Sequence, residues 1–415
     1  METQRSPYAP DFIDVNLWDP ATFKSGPPYG EFAKLREAAP VAWHPEPPRR
    51  EGGKHGPGFW CVTSHEGIRT ISLDPTTYSS WLGGFTGADI SGAILEETRM
   101  NLMAMDPPDH TLFRNSIREP FGSKGVAGLT EAIARYCDDV VAGLEGLDRF
   151  DFVEMVASEL PLLTLSHILG VKAEDRRQFY DWSNKIIGNH DPDFGGTVQD
   201  FLRAKDELFA YGRAVIADRR AAPGDDLVSA FIKSEIEGEP LTNERIIMLW
   251  YLLLVAGNET TRSSLTGCMQ MLSEFPDQRE LLMSDLDRYL PGFVEEALRY
   301  TNPVLHFRRT ATVDHHLLGA DIKAGDKLLM WYPAANRDPA MFDRPDEFDI
   351  TREPNHHLAF GIGTHFCLGA RLGRLQIKMM LRALLEAYPS IDVTAPATRA
   401  HSNFLNCAKT LPVRV

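Results

Sequence analysis

The stretch from Phe360 to Gly369 reads F-G-I-G-T-H-F-C-L-G, and the interpretation of the whole chain starts from it. Two glycines precede Cys367 and one follows it, which permits a tight turn with unusual backbone dihedral angles. Apolar residues at helical spacing come next and predict a helix that begins near Cys367. Because the amide groups and dipole of a helix N-terminus favour a thiolate, Cys367 is a candidate ligand for a soft or borderline metal.

Two other interpretations of Cys367 stay open on these residues alone. One is a buried structural cysteine beside a glycine-rich turn, which is the usual role of a free cysteine. The other is a zinc site that combines Cys367 with His356, His357 and His365. The zinc site is the weaker of the two, because adjacent residues of an extended segment point to opposite faces and a second cysteine is missing.

The composition is that of an ordinary globular protein. Hydrophobic residues make up 43% and charged residues 24%, and the net charge of −15 disfavours nucleic acid as a partner. The five cysteines lie far apart without a CxxC pair, so we expect neither a disulfide framework nor a four-cysteine zinc site. The start of the chain does not resemble a secretory signal, and the longest apolar run, Ile246–Gly257, is shorter than the ~20 residues of a membrane span. We therefore expect a soluble, cytoplasmic protein without a membrane anchor.

The pattern along the chain predicts one domain over residues 1–415, mainly α with a small β part. Strands are expected mostly within 40–80 and 300–415, with the clearest at 59–63 and 327–331. Helices are expected at about 105–300 and 367–388, with breaks at Pro161, Pro192, Pro223 and Pro240. One helix should run from a cap at Thr242 to Pro276 and cross the interior, since its middle is apolar all round.

Polar residues interrupt this long helix at Ala256–Thr261, which reads A-G-N-E-T-T. A glycine, a carboxylate and two hydroxyl groups cost stability in an apolar helix unless something uses them. A small residue lets a flat cofactor or dioxygen approach the backbone, and a hydroxyl beside a carboxylate can relay protons. The alternative is a helix kink in which the threonines bond back to carbonyl groups.

Two further pairs have helical spacing. Glu296 and Arg299 are three residues apart, and His110 and Arg114 are four apart, so each pair shares one helix face. Taken alone, such pairs are usually solvated surface contacts that contribute little to stability.

Together these segments resemble the cytochrome P450 family, whose motifs occur here in the right order over nearly the whole chain. The family's haem loop, F-x-x-G-x-x-x-C-x-G, is matched by Phe360, Gly363, Cys367 and Gly369. Its oxygen-binding pattern, [AG]-G-x-[DE]-T-[TS], is matched at 256–261. Its E-x-x-R pattern is matched by Glu296 and Arg299, with Arg352 as the later arginine.

The resemblance implies a cytochrome P450-like fold in which the long central helix lies over heme b (iron protoporphyrin IX). Cys367 would bind the iron, while Ala256 and Gly257 would border the cofactor. Thr260 would stabilise bound oxygen, and Glu259 would feed protons. The implied partners of the haem propionates are His110, Arg114, Arg309 and His365. Glu296, Arg299 and Arg352 would form a structural triad behind the haem.

The implied reaction is insertion of one atom of O2 into a C–H bond of a hydrophobic small molecule such as a terpenoid, a steroid or a fatty chain. Family positions that face the substrate correspond to Trp81, Phe85, Met103, Val255, Ala256, Leu305 and Phe404. Each of these residues could equally belong to the hydrophobic core, since most are apolar.

Electrons are expected from a separate iron–sulfur ferredoxin with its NAD(P)H-dependent reductase, because no flavin- or nicotinamide-binding tract is visible. Arg371, Arg374 and Lys378 share a helix face behind Cys367 and are a candidate docking patch, although a solvated helix face is the alternative. A haem-binding sensor and a peroxygenase of the same fold remain alternatives. The peroxygenase is disfavoured because both Glu259 and Thr260 are present.

Overall fold

The computed structural model describes residues 8–46, 56–188, 191–194 and 196–415. Helices dominate it. They are α1 (Tyr29–Ala38), α2 (His65–Leu73), α3 (Gly92–Arg99), α4 (Asp109–Ile117), α5 (Ser123–Gly128), α6 (Thr130–Ala142), α7 (Glu159–Ile168), α8 (Arg176–Ile187), α9 (Val198–Ala221), α10 (Leu227–Ile232), α11 (Asn243–Glu274), α12 (Pro276–Ser284), α13 (Leu286–Thr301), α14 (Tyr332–Ala335) and α15 (Ala370–Ala387).

The strands are short and lie mainly in the first and last parts of the chain. They are β1 (Val41–His44), β2 (Phe59–Val62), β3 (Tyr78–Ser79), β4 (Arg149–Asp151), β5 (Glu235–Ile236), β6 (Glu239–Pro240), β7 (His306–Ala311), β8 (His315–Leu317), β9 (Ala320–Ile322), β10 (Lys327–Trp331), β11 (Asp392–Val393), β12 (Thr398–Arg399), β13 (Ala408–Thr410) and β14 (Pro412–Arg414). The largest sheet has the order β1-β2-β10-β7-β3, in which only β2 and β10 pair in parallel. The predicted fold class, mainly α with a small β part, is confirmed.

The long central helix α11 begins and ends where the sequence predicts. Thr242 caps it, with its side-chain oxygen accepting a hydrogen bond from the Arg245 amide at 3.3 Å, and Pro276 begins the next helix. The helix has 32 residues, about 48 Å at 1.5 Å per residue. It packs against α7, α8, α9, α13 and α15, so it crosses the hydrophobic core and can present residues to the interior.

Two local predictions are off by a few residues. Pro161 does not end a helix, because it lies in the first turn of α7, where its missing N–H group has no intrahelical partner to lose. The C-terminal helix begins at Ala370 with Gly369 at its cap, three residues after Cys367. Residues 47–55 of the predicted strand-rich part lie outside the described residues. Within those residues, no helix is both long and apolar enough to span a bilayer.

Candidate functional site

The backbone of the cysteine loop is shaped by glycine. Gly363 adopts a φ of +73°, and a Cβ atom added there would lie 2.3 Å from the carbonyl oxygen of Ser72. Only glycine fits both the dihedral angle and the close approach to α2. The loop closes through a hydrogen bond from the Cys367 amide to the Phe360 carbonyl at 2.9 Å. The turn therefore holds Cys367 in a fixed position ahead of α15.

Cys367 lies on the wall of a cavity that opens to the protein surface, since the exposed Arg118, Lys124 and Arg371 also line it. Its side chain is exposed to a cavity of about 640 Å³ that Arg114, Phe366 and Leu368 also line. Its position deep in the protein raises the pKa of the thiol, and a hydrogen bond from the Gly369 backbone and the charges of Arg114 and Arg374 reverse this only in part. The Gly369 amide at the cap of α15 is thus one of the groups that favour the thiolate, as predicted for a helix N-terminus. A bound metal cation would favour the anionic sulfur further.

The zinc interpretation is not supported by the geometry. His357 contacts the carboxylate of Glu295 at 3.1 Å, whereas the ring of His365 packs against His110. Among the residues that the structure describes, no three His, Cys, Asp or Glu side chains are grouped so as to hold a metal ion.

Four residues from three distant segments converge beside the cysteine loop. His110 and Arg114 come from α4, Arg309 from β7, and His365 directly precedes Phe366. The rings of His110 and His365 have centroids 4.3 Å apart, and neither ring nitrogen of the buried His110 has a hydrogen-bond partner. Arg309 is also buried and donates to the Arg308 carbonyl at 2.7 Å.

The electrostatics of this cluster fit an anionic ligand. Burial, followed by the charges of Arg114 and Arg309, lowers the pKa of His110 to about 4. Burial and the same neighbouring cations also lower the pKa of His365 well below its usual value. Buried hydrogen-bond donors without acceptors are unfavourable unless a ligand satisfies them. The cluster therefore suits the two carboxylates of a haem, and Cys367 beside it suits the iron.

The A-G-N-E-T-T segment of α11 presents one face to open space. Ala256 is exposed and Thr260 is partly exposed, and the Thr260 hydroxyl donates to the Ala256 carbonyl at 2.6 Å. Thr261 is buried and donates to the Gly257 carbonyl at 3.0 Å. A Cβ atom on Gly257 would lie 3.2 Å from Leu165 of α7, so this glycine is explained by helix packing. Ala256 and Thr260 are the two residues of this segment with side chains free to meet a ligand.

Glu259 lies on another face of α11 from Thr260. It is fully buried, forms an ion pair with Arg262, and accepts a hydrogen bond from the Ser263 hydroxyl at 3.1 Å. Arg262 in turn donates to the side-chain oxygen of Asn184 on α8 at 2.8 Å. Burial raises the pKa of Glu259, while Arg262 and Ser263 act in the opposite direction. Arg262 is not among the predicted site residues, although its spacing of three from Glu259 repeats that of Glu296 and Arg299.

Glu296, Arg299 and Arg352 form one buried network. Arg299 donates to both carboxylate oxygens of Glu296 at 2.7 and 2.8 Å, and neither side chain is exposed. Arg352 adds hydrogen bonds at 3.1 and 3.2 Å. Arg299 also donates to the carbonyl groups of Asn336 and Pro345, which ties α13 to the segment after α14.

The predicted substrate-facing residues divide into two groups. Exposed or partly exposed side chains occur at Trp81, Phe85, Met103, Val255, Ala256 and Phe404. Leu305 follows the alternative given for these residues, a place in the hydrophobic core. Its side chain has no exposed surface and belongs to a hydrophobic cluster that includes Leu329 and Trp331.

The predicted docking patch is also smaller than expected. Arg371 and Lys378 are exposed, but Arg374 donates to both oxygens of Glu295 at 2.6 and 2.7 Å. The three cations do lie on α15, but the carboxylate partner of Arg374 comes from α13, 79 residues away in the sequence. Arg374 is therefore not a free cation on that face.

Comparisons with known proteins agree with the geometry of the site. The sequence profile of the family described as Cytochrome P450 matches residues 150–403. The Steroid C26-monooxygenase of Mycobacterium tuberculosis is 35% identical over 411 residues, covering 98% of this chain and 93% of the relative. The Methyl-branched lipid omega-hydroxylase of the same organism is 36% identical over 390 residues, covering 92% and 90%.

Solved structures give the same result at the level of the fold. Mycobacterium marinum cytochrome P450 CYP268A2, in complex with pseudoionone, superimposes with a TM-score of 0.91 and 32% identity and covers all of both chains. CYP109E1 from Bacillus megaterium, in complex with testosterone, superimposes with a TM-score of 0.80 and 33% identity, covering 94% of this chain and 99% of that chain.

Proposed function

Since this chain belongs to the cytochrome P450 family, we propose that Cys367 binds the iron of its heme b and that His110, Arg114, Arg309 and His365 hold the two propionates. The chain is a cytochrome P450 monooxygenase that hydroxylates hydrophobic substrates. The observation that carries the residue assignment is the convergence of four donors, including the unpartnered ring of His110, beside an exposed cysteine. A dicarboxylate cofactor would satisfy all of them at once.

Heme b supplies, when bound, the activation of O2 from which one oxygen atom enters a substrate C–H bond. Cys367 would hold the iron as an anion, and the Gly369 amide and the Arg114 charge favour that state of the sulfur. The hydroxyl of Thr260 stands beside exposed Ala256 and holds a proton that it can give to a ligand on the open face of α11. Glu259 and Arg262 form a buried ion pair on a neighbouring face of α11.

We assign the substrate to the steroids or methyl-branched lipids. Both named relatives act on such molecules, at 35% and 36% identity over more than nine-tenths of this chain. The side chains available to a substrate, among them Phe85, Met103 and Val255, are apolar, and they favour a ligand that buries hydrocarbon surface.

Two spectroscopic measurements test this proposal. The reduced protein exposed to carbon monoxide should give the red-shifted absorbance band of sulfur-ligated haem, and Cys367→Ser should lose that band while keeping its helical content. Titration with a sterol and with a methyl-branched fatty acid should shift the Soret band if either class displaces a ligand from the iron. A wild-type protein without the sulfur-type band would refute the haem assignment. A band without any substrate shift would refute the substrate class only.

We further propose that a separate, acidic ferredoxin supplies the electrons. Exposed cations surround the cavity next to Cys367, namely Arg118, Lys124 and Arg371. Charge complementarity would speed docking of an acidic partner at this face. Arg371→Glu should slow reduction by an acidic ferredoxin at low salt, whereas the remote and exposed Arg149→Glu should not. Equal rates for Arg371→Glu and wild type would refute this docking face.

A further inference from the structure

Glu295 of α13 and Arg374 of α15 form a pair of opposite charges next to the cysteine loop. The Nε and Nη2 atoms of Arg374 donate to the two carboxylate oxygens at 2.6 and 2.7 Å, which is a bidentate geometry. The His357 ring lies 3.1 Å from the same carboxylate. The side chains of Glu295 and Arg374 are 31% and 35% exposed, so water screens their field only in part.

A single residue, Phe360, connects the guanidinium group of Arg374 to Cys367. The guanidinium group stacks over Phe360 at 4.2 Å from the ring centroid. The carbonyl of Phe360 accepts the hydrogen bond from the Cys367 amide. Any charge imbalance at the pair therefore acts on the loop that carries the sulfur.

Two arginines contact the cysteine loop, Arg114 through Phe366 and Arg374 through Phe360. They differ in whether a carboxylate neutralises their charge. Arg114 donates to the Phe366 carbonyl at 2.6 Å, and within the described part of the chain no carboxylate pairs with it. Arg374 has a matched carboxylate.

The carboxylate of Glu295 keeps its charge at neutral pH. Burial would raise its pKa, but hydrogen bonds from His357 and Arg374 outweigh burial and lower the pKa to about 2. Glu295 is therefore ionised in the folded protein at neutral pH, and its charge neutralises that of Arg374.

We propose that Glu295 and Arg374 are positioning residues that set the electrostatic potential at the Cys367 sulfur, and through it the reduction potential of the haem iron. This inference rests on the proposed function, because it requires Cys367 to be the iron ligand. Reduction adds a negative charge at the iron. When the Glu295 charge is lost, the positive charge of Arg374 is no longer neutralised and favours the reduced state. When the Arg374 charge is lost, the negative charge of Glu295 is no longer neutralised and favours the oxidised state.

Potentiometric titration of the haem-loaded protein tests the inference through the signs of three shifts. Glu295→Gln should raise the midpoint potential, and Arg374→Gln should lower it. The double variant should return close to wild type, because both charges are gone. Loss of one unit charge beside the cysteine loop should change the ratio of reduced to oxidised protein by up to about tenfold, which corresponds to about 59 mV for one electron.

The chain offers matched controls. Asp287 and Arg382 pair at 2.6 Å across the same two helices, so Asp287→Asn makes the same change in net charge about two turns away. It should shift the potential much less than Glu295→Gln. Arg374→Lys keeps the charge but loses the bidentate contact, and it should stay near the wild-type potential. If Arg374→Gln does not retain haem, the comparison of Glu295→Gln with Asp287→Asn still decides.

The inference is overturned if Glu295→Gln lowers the potential or moves it no more than Asp287→Asn does. The carbon monoxide spectrum separates this result from failure of the proposed function. A sulfur-type band in every variant with unmoved potentials refutes the role of the charge pair alone. Absence of that band in the wild-type protein refutes ligation by Cys367.

Discussion

Replacement of Glu296 by Gln should destabilise the fold more than any exposed charge change in this protein. The carboxylate of Glu296 is fully buried and accepts hydrogen bonds from Arg299 at 2.7 and 2.8 Å and from Arg352 at 3.1 and 3.2 Å. It also accepts from the Asn355 side chain at 3.0 Å and from the Asp349 amide at 2.9 Å. Glutamine has the same size but no charge, and its amide group would face guanidinium donors.

The expected loss follows from the burial of both charges. Removing one partner of a buried ion pair leaves an uncompensated charge and costs about 3–5 kcal/mol. The free energy of unfolding of a typical domain is about 5–15 kcal/mol, so Glu296→Gln should remove about a fifth of it or more. Arg344 and Glu347 form a contact of similar length, 2.7 Å, in the same region, but they are 56% and 57% exposed. Arg344→Gln should therefore cost less than about 1 kcal/mol.

Urea unfolding followed by circular dichroism and by Soret absorbance measures both variants against wild type. A loss below about 1 kcal/mol for Glu296→Gln would refute the argument, because it would mean that the buried charge of Arg299 needs no partner. Normal stability with lost hydroxylation would refute it in a different way, since Glu296 would then act in the reaction and not in the fold.

Three further predictions concern single positions. Thr260→Ala should retain haem but divert electrons to hydrogen peroxide, whereas the control Thr261→Ala, at a buried position, should stay coupled. The yield of product per NAD(P)H consumed measures the coupling. Full coupling in Thr260→Ala would contradict the proton role of this hydroxyl. Gly363→Ala should cost more than about 2 kcal/mol and weaken haem retention, since it adds a contact of 2.3 Å to the strain of a positive φ. Gly319→Ala has a positive φ without a close neighbour and should cost less; equal losses in thermal unfolding would refute the steric argument. His306 is buried, and burial lowers its pKa to about 4. The unfolded chain therefore binds the proton more tightly, and up to about 3 kcal/mol of stability present above pH 6.5 should be lost as the pH falls toward 4. His306→Gln should flatten that part of the profile, and an unchanged slope would contradict it.

The sequence predicted those features whose causes are local. The cap at Thr242 and the proline at 276 bound α11, and glycine at 363 meets a requirement of its own backbone. The sequence did not predict features that depend on contacts between residues far apart in the chain. Leu305 follows an irregular stretch, so no strand or helix period indicated that it joins the cluster of Leu329 and Trp331. Helical spacing grouped Arg374 with its neighbours on α15, but the pattern within one helix carries no information about a carboxylate on α13.

Glu259 and Thr260 are adjacent in the sequence motif, but their side chains have different surroundings in the fold. Adjacent residues of an α-helix project about 100° apart, and here one reaches the open face of α11 while the other is enclosed with Arg262 and Ser263. The hydroxyl is thus the group that a ligand on the open face of α11 can touch. A proton supplied by Glu259, as proposed, would have to leave a pair whose arginine is also held by Asn184 of α8 at 2.8 Å. The proposed proton supply would therefore depend on the contact between α8 and α11 as well as on the Glu259 carboxylate.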